Sequence, residues 1–273
     1  MPKQVPSQAQ EEPIWQRISR SCRLDDRPLI LFDAVDSTNT QALALAKEGA
    51  ESGTVVIAQT QSNGRGRLGR TWESPKGAGL YFSIITRPPL QSKDLSKITL
   101  AVGLALRNGV AKVSAIEARL KWPNDLLFAE KKMAGVLTEN DMTAGSGPTI
   151  VIGIGLNVNT TADTLPVELA ARATSMYIAA GRFFDRGAVL AAVLREVDRE
   201  IARLVNNDFG GILADWRAND AAYGKWLTWL TPKGQKITGL SLGPDEEGLL
   251  HIRDAGGTNH PVLSGDLEIT VAR

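Results

Sequence analysis

The chain has 273 residues, 31 basic and 30 acidic side chains, a formal net charge of +1 and 43% hydrophobic residues, a composition typical of a globular protein with one or two domains. The balanced charge excludes a chain that coats nucleic acid or an anionic membrane by bulk electrostatics, and no apolar run reaches transmembrane or signal-peptide character, so we expect a cytoplasmic protein. A single cysteine and two histidines exclude an internal disulfide and argue against a Cys/His zinc site.

The first half of the chain is predicted to mix strands and helices. Residues 1 to about 12 are polar and predicted to be disordered, and a short helix is expected from Ile14 to Cys22. Apolar runs then predict strands, and cap residues with helical spacing predict helices. The predicted strands are 28–34, 54–60, 79–87, 117–122 and 149–158, with hairpin arms at 126–128 and 133–139, and the predicted helices are 37–47 and 95–113.

The second half is predicted to change from helices to short strands. Alanine-rich amphipathic patterns predict helices at 169–180, 188–206 and 212–219. From Gly224 onwards, short β segments alternate with Pro- and Gly-containing turns, a pattern typical of a small barrel. We therefore predict an α+β fold with three parts: an N-terminal extension (1–27), a domain with a mixed β-sheet and helices (28–222), and a small β-barrel (223–273).

A loop between two predicted strands concentrates glycine and arginine. The run Gly64-Arg65-Gly66-Arg67-Leu68-Gly69-Arg70 offers backbone N–H groups that can approach an anion and guanidinium groups that match carboxylate or phosphate oxygens. A solvated basic loop is the plain alternative. The glycines also fit G-x-G-x-x-G, but a strand without acidic residues follows instead of a helix, and the partner motifs of a protein kinase are missing. The loop therefore predicts an anion-binding site of another kind.

Five ordered blocks carry a resemblance to a known family. They are 36–39 (DSTN), 64–72 (GRGRLGRTW), 121–125 (KWPND), 132–137 (KMAGVL) and 153–159 (GIGLNVN). In this order they closely resemble the biotin protein ligase family, over roughly residue 29 to the C-terminus. The resemblance implies a catalytic domain akin to class II aminoacyl-tRNA synthetases followed by an SH3-like β-barrel.

The resemblance also implies a reaction and its participants. Members of the family join biotin to ATP, release pyrophosphate and form biotinyl-5′-adenylate, and then transfer biotin to one lysine of a biotin carboxyl carrier protein or domain, with Mg²⁺ as the expected metal. Some members carry an N-terminal DNA-binding module. Only about 28 residues precede the first predicted strand, so we expect a short form with no nucleic-acid and no membrane partner. Metal ligands stay unknown, and both monomer and homodimer stay open.

Site residues follow from the resemblance, position by position. Lys121, Arg65 and Arg67 are the expected catalytic residues, with Lys121 as the principal one, because two anionic reactants must approach each other. The expected biotin-binding residues are Ser37, Thr38, Asn39, Gln61, Gly64, Arg65, Gly66, Arg67, Lys121, Gly135, Gly153 and Gly155. The expected nucleotide-binding residues are Arg67, Arg70, Trp72, Lys121, Asn124, Lys132 and Asn157.

Several alternatives accompany these assignments. Ser37 or Thr38 could serve only as a helix N-cap, and the strand glycines could serve only packing. A lipoate-type ligase of the same fold and a non-catalytic protein that senses biotin or docks the carrier are the alternative functions. His251 and His260 are expected to be no more than polar surface residues.

Overall fold

The computed structural model describes residues 27–91, 94–141, 149–231, 234–262 and 266–269, so the predicted disordered segment and the helix from Ile14 to Cys22 lie outside the described residues. The strands are β1 (Leu29–Val35), β2 (Val55–Gln61), β3 (Gly79–Thr86), β4 (Arg119–Lys121), β5 (Asp125–Phe128), β6 (Lys131–Asp141), β7 (Thr149–Asn157), β8 (Trp226–Leu230), β9 (Lys236–Pro244), β10 (Leu250–Asp254), β11 (Asn259–Val262) and β12 (Asp266–Ile269). The helices are α1 (Thr38–Lys47), α2 (Leu95–Val113), α3 (Val167–Ala170), α4 (Met176–Ala180), α5 (Arg186–Val205) and α6 (Phe209–Ala218).

The larger sheet has seven strands in the order β1-β2-β3-β7-β6-β5-β4. Strands β1 and β2 are parallel and the other neighbours are antiparallel, which confirms the predicted α+β fold with a mixed sheet. Successive strand residues point to opposite faces of the sheet, and helices pack on the apolar residues of both faces. Val56 packs with α1 on one face, whereas Val55 and Ile57 belong to the main core on the other face.

The smaller sheet has five antiparallel strands in the order β11-β10-β9-β8-β12. Side chains of the larger domain donate hydrogen bonds to backbone carbonyls in its turns. Trp122 Nε1 donates to the carbonyl of Gly248 at 2.9 Å, and Ser96 Oγ donates to the carbonyl of Glu247 at 2.6 Å. These bonds fasten the smaller sheet to Trp122, which follows β4, and to Ser96 at the start of α2.

The predicted single helix at 169–180 is wrong. The structure has two short helices there, α3 and α4, with residues 171–175 between them. The reason is a tertiary contact: the backbone N–H of Lys132 donates to the carbonyl of Arg172, and the N–H of Thr174 donates to the carbonyl of Lys132. Backbone groups committed to this bridge cannot also form helical i to i−4 bonds.

His251 and His260 were expected to be no more than polar surface residues. The structure corrects this, because each histidine pairs with an aspartate. His251 Nε2 lies 2.6 Å from Asp245 Oδ2, and His260 Nε2 lies 2.7 Å from Asp254 Oδ2. Each pair ties together residues six positions apart in the smaller sheet. The hydrogen bond with His260 lowers the pKa of Asp254. Within the described residues, no helix is both long and apolar enough to cross a membrane.

Asp220 is a buried carboxyl group at the junction between the two sheets. Its Oδ1 accepts a 2.7 Å bond from the N–H of Ala222, whereas Oδ2 has no partner among the described residues. Burial raises the pKa of Asp220 to about 6. The folded chain therefore binds this proton more tightly than the unfolded chain does. The resulting contribution to the free energy of unfolding is fully present below about pH 4 and decreases as the pH rises through about 6.

We expect Asp220→Asn to raise the free energy of unfolding at pH 8 by about 1–3 kcal/mol, because a neutral amide keeps the acceptor for Ala222 without burying a charge. Urea unfolding of both proteins at pH 8 and pH 4.5 measures this. The gain should shrink at pH 4.5, where Asp220 is protonated. An equal loss of stability at both pH values would contradict the assignment.

Candidate active site

A cleft of about 1290 Å³ opens at one end of the larger sheet. Its walls come from the start of α1, the Gly/Arg loop (residues 61–77), the turn between β4 and β5, strands β6 and β7, and residues 165–173. Of the residues predicted for the site, all line this cleft except Gly64. The structure therefore brings together side chains from five sequence blocks that are far apart in the chain.

The Gly/Arg loop folds back on itself as a small hairpin. The N–H of Gly66 donates to the carbonyl of Arg70 at 2.7 Å, and the N–H of Trp72 donates to the carbonyl of Gly64 at 2.9 Å. A Cβ atom on Gly64 would lie 2.3 Å from the Trp72 carbonyl oxygen, so only glycine fits there. Gly64 thus serves the closure of the loop, and among the glycines of the 64–70 run only Gly69 has a positive φ, of 72°.

The turn at Ser37–Asn39 forms a polar wall of the cleft. Ser37 occupies the N-cap position of α1 but makes no side-chain capping bond, so capping does not account for its hydroxyl. The N–H of Thr38 donates to Gln61 Oε1 at 2.8 Å, and Thr38 Oγ1 lies 3.2 Å from the same oxygen. Gln61 Nε2 in turn donates to Ser74 Oγ at 2.8 Å. The wall is therefore bonded to the two ends of the Gly/Arg loop.

Asn39 is almost fully buried, and both hydrogens of its amide are used inside the protein. Its Nδ2 donates to Glu139 Oε2 at 2.8 Å and to the carbonyl of Leu137 at 3.3 Å. Its Oδ1 lies 2.6 Å from the hydroxyl of Ser83. The Asn39 side chain thus organises the wall from behind, rather than offering its N–H groups to the cleft.

The strand glycines allow side chains of the chain itself to approach the sheet. A Cβ atom on Gly153 would lie 2.0 Å from Asn39 Oδ1, and one on Gly155 would lie 2.4 Å from the indole of Trp72. A Cβ on Gly135 would lie 3.2 Å from Lys132 Nζ. The glycines were expected to make room for a ligand, and the structure shows that they make room for the residues that shape its pocket.

Two of the predicted cations are paired with carboxylates. Arg65 Nη2 lies 2.6 Å from Glu139 Oε1, and Lys132 Nζ lies 2.6 Å from Asp125 Oδ1. The Lys132 ammonium also lies 5.4 Å from the centre of the Trp72 ring. Lys132 is thus held between a carboxylate and an aromatic face, next to Gly135.

Two further predicted cations, Lys121 and Arg67, have no carboxylate ion pair among the described residues. Lys121 Nζ donates to the backbone carbonyl of Leu267 in β12 at 3.0 Å. The Arg67 guanidinium lies 6.0 Å from the Trp122 ring, and burial lowers its pKa, with Asp125 opposing the shift. A partly buried cation with no ion pair is poised to bind an anion.

The side chains of Asn124 and Asn157 stabilise the walls of the cleft. Asn124 Nδ2 donates to the carbonyl of Val136 at 2.7 Å, and Asn157 Nδ2 donates to the carbonyl of Thr174 at 3.0 Å. The second bond holds the segment that follows α3 against β7. Trp72 Nε1 and Thr160 Oγ1 are buried donors of cleft-lining residues that have no hydrogen-bond partner among the described residues.

Sequence reasoning missed several residues of the site. Ser83, Asp125 and Glu139 supply its internal partners, and the carbonyl of Leu267 comes from the smaller sheet. Residues 165–173 form a wall opposite the Gly/Arg loop, with Leu165, Pro166, Leu169 and Arg172 in the lining. This wall was not anticipated, because residues 169–180 were predicted to form one continuous helix. Asp125 lies within a recognised block, but no local pattern indicates that Lys132 is its partner.

The described residues contain no cluster of three or more His, Cys, Asp or Glu side chains that could hold a metal ion. The carboxylate of Asp125 is already paired with Lys132. The side chains of the cleft therefore favour anionic ligands over a cage for a bare cation.

A mixed sheet with a cation-lined, partly apolar cleft is a candidate ligand-binding site in an α+β fold. Comparison with known proteins specifies it further. The model of the biotin/lipoate A/B protein ligase family matches residues 31–157. The bifunctional ligase/repressor BirA of Bacillus spizizenii is 34% identical over 241 residues, which cover 88% of this chain and 74% of that protein.

Two further comparisons agree. The biotin–acetyl-CoA-carboxylase ligase of Mycobacterium tuberculosis is 34% identical, with 88% of each chain covered. The structure of biotin protein ligase from Aquifex aeolicus in complex with biotin and ATP is similar with a TM-score of 0.78 and 33% identity, over 90% of this chain and 99% of that one. The chain therefore belongs to the biotin protein ligases within the biotin/lipoate A/B protein ligase family.

Proposed function

We propose that this chain activates biotin with ATP to biotinyl-5′-adenylate, releases pyrophosphate, and transfers biotin to a lysine of a biotin carboxyl carrier protein or domain. The observation that carries the proposal is the gathering of Arg67, Lys121 and Lys132 around one cleft. The biotin carboxylate must approach the α-phosphate of ATP, and two unit charges 4 Å apart repel by about 4 kcal/mol at an effective dielectric constant near 20. Cations on the cleft wall offset this repulsion.

Biotin is assigned to the side of the cleft near Ser37, Thr38 and Gln61. Hydroxyl and amide groups there match the donors and acceptors of a ureido ring. Gly153 and Gly155 leave room on β7 for Asn39 and Trp72, and Trp72 supplies an apolar face. In this arrangement the biotin carboxylate extends toward Arg67 and the two lysines.

The reacting groups are assigned to the centre of the cleft. The substrates supply both nucleophiles, first the biotin carboxylate and then the carrier lysine, so the protein contributes charge and position. Arg67 and Lys121 stabilise the charge that grows on the α-phosphate as pyrophosphate leaves. Lys132, steered by Asp125 and Trp72, is assigned to the same region from the β6 side.

ATP is assigned to the side that Trp72, Arg70, Asn124, Asn157 and residues 165–173 enclose. Mg²⁺ is expected to arrive with the triphosphate, because Mg²⁺ usually keeps water and phosphate ligands and uses few protein carboxylates. Bound to ATP, it would neutralise phosphate charge. Its protein contacts are not assigned, since no acidic cluster exists among the described residues.

The finer architecture and setting belong to the same proposal. The larger domain is taken as akin to the class II aminoacyl-tRNA synthetases, and the five-stranded domain as an SH3-like barrel that fastens next to Lys121. The carrier is a domain of a biotin-dependent carboxylase, and the setting is the cytoplasm. Monomer and homodimer both fit the proposal.

The experiment that tests the function is exchange of labelled pyrophosphate into ATP. We expect biotin to stimulate exchange and lipoate not to, because the polar wall matches a ureido ring that lipoate lacks. Stimulation by lipoate would favour the lipoate-type ligase. Binding of biotin with no exchange would favour a protein that only senses biotin or docks the carrier.

A further inference from the structure

Glu139 lies on β6 and bridges two parts of the site that the sequence does not connect. Its Oε1 accepts a bond from Arg65 in the Gly/Arg loop at 2.6 Å, and its Oε2 accepts a bond from Asn39 in the polar wall at 2.8 Å. The Glu139 side chain is only 22% exposed. One partly buried carboxylate therefore holds both structures in place.

The bridge is one end of a longer series of polar contacts. Asn39 Oδ1 lies 2.6 Å from Ser83 Oγ, and Ser83 Oγ lies 2.8 Å from Thr38 Oγ1. From Thr38 the series continues to Gln61 and then to Ser74, as described above. The hydroxyl of Ser74 lies 3.3 Å from the carbonyl of Trp72. The series thus connects Arg65 with Gln61, Ser74 and Trp72, so it joins separate parts of the Gly/Arg loop.

Within this series Arg65 and Glu139 are the ionised groups, and each neutralises the other. The positive charge of Arg65 is therefore largely compensated before any anion enters the cleft. We infer that Glu139 is a positioning residue for the proposed biotin site: it fixes Asn39 behind the polar wall and fixes Arg65 at the base of the loop. Arg65 then contributes the shape of the loop, while Arg67 and Lys121, which have no carboxylate partner among the described residues, contribute net charge.

A carboxylate is required here for a specific reason. Both of its oxygens accept, and both partners, Arg65 and Asn39, are donors. The amide of a glutamine can accept from one partner only, because its NH₂ group then faces the other donor. Glu139→Gln keeps size and shape but breaks one of the two bonds, so it is a sharper test than truncation to alanine.

The inference rests on the proposed biotin site, and pyrophosphate exchange tests it with Glu139→Gln, Arg65→Gln and the double variant. We expect each single change to raise KM for biotin about tenfold, with kcat and KM for ATP changed less than about threefold, since a charge-assisted bond that orders the wall is lost. The KM for biotin of the double variant should not exceed the higher of the two single-variant values, because both changes break the same bridge. Glu117→Gln, which removes an exposed charge outside the cleft, is the matched control.

The outcomes separate this inference from the proposed function. No biotin-dependent exchange by the unaltered chain would refute the function itself. Normal exchange by the unaltered chain, with Glu139→Gln equal to Glu117→Gln, would overturn only the role of Glu139. The role of Glu139 would also be overturned if the two increases in KM multiplied in the double variant, or if kcat fell together with the melting temperature.

Discussion

Replacing Lys121 with alanine is expected to lower kcat for biotin-dependent pyrophosphate exchange by about 10²–10³-fold, or roughly 3–4 kcal/mol of transition-state stabilisation. The physical reason is that Lys121 lines the cleft with no carboxylate partner among the described residues, and a backbone carbonyl alone holds its ammonium. Its charge is thus available to the reacting oxygens. Steady-state exchange kinetics at saturating biotin and ATP measure the effect.

Lys76→Ala is the matched control for Lys121. Lys76 lies in the Gly/Arg loop, is exposed, and does not line the cleft. Its loss removes the same charge from the protein without removing charge from the site, so activity should stay within about twofold. Full activity of Lys121→Ala would remove Lys121 from the reacting region, and Lys132 would then be the candidate for that role.

Arg67→Ala is expected to lower kcat/KM for biotin by about 10²–10³-fold. Arg67 is the loop arginine that lines the cleft without an ion pair among the described residues, and burial lowers the pKa of its guanidinium. Truncation removes the group that offsets the charge of the bound carboxylate and α-phosphate. Exchange kinetics over a range of biotin concentrations measure the change.

Arg67→Lys separates charge from geometry. An ammonium keeps the charge but cannot present the planar fork that binds carboxylate or phosphate through two hydrogen bonds. We expect an intermediate activity, about tenfold below the unaltered chain. Equal activity of Arg67→Ala and the unaltered chain would contradict the assignment, whereas a large drop in melting temperature would assign Arg67 to stability instead.

Much of the fold follows from local pattern. Helix α2 has the bounds that its apolar spacing predicts, from Leu95 to Val113, because apolar residues recur there at helical intervals. Strands β2, β3 and β7 are predicted as well, because a short apolar run between turn residues is typical of a buried strand. The helix predicted at 169–180 failed because a contact with Lys132, distant in sequence, competes with helical bonding.

Many of the residues that line the cleft could be predicted from the sequence, but their pairings could not. Motif blocks identified the cations and the polar turn, and the structure gathers them in one cleft. Nothing local indicates that Arg65 pairs with Glu139, which is 74 residues away, or that Lys121 donates to Leu267, which is 146 residues away. Such partners are set by sheet order and by the docking of the smaller sheet, which are tertiary properties. They decide which cations retain net charge.

A structure of this chain with a non-hydrolysable analogue of biotinyl-5′-adenylate tests the central claim most directly. The claim predicts the ureido ring beside Ser37, Thr38 and Gln61, and the phosphate mimic within hydrogen-bonding distance of Arg67 and at least one of Lys121 and Lys132. An analogue bound outside this cleft, or bound in it with its phosphate mimic remote from all three cations, would contradict it.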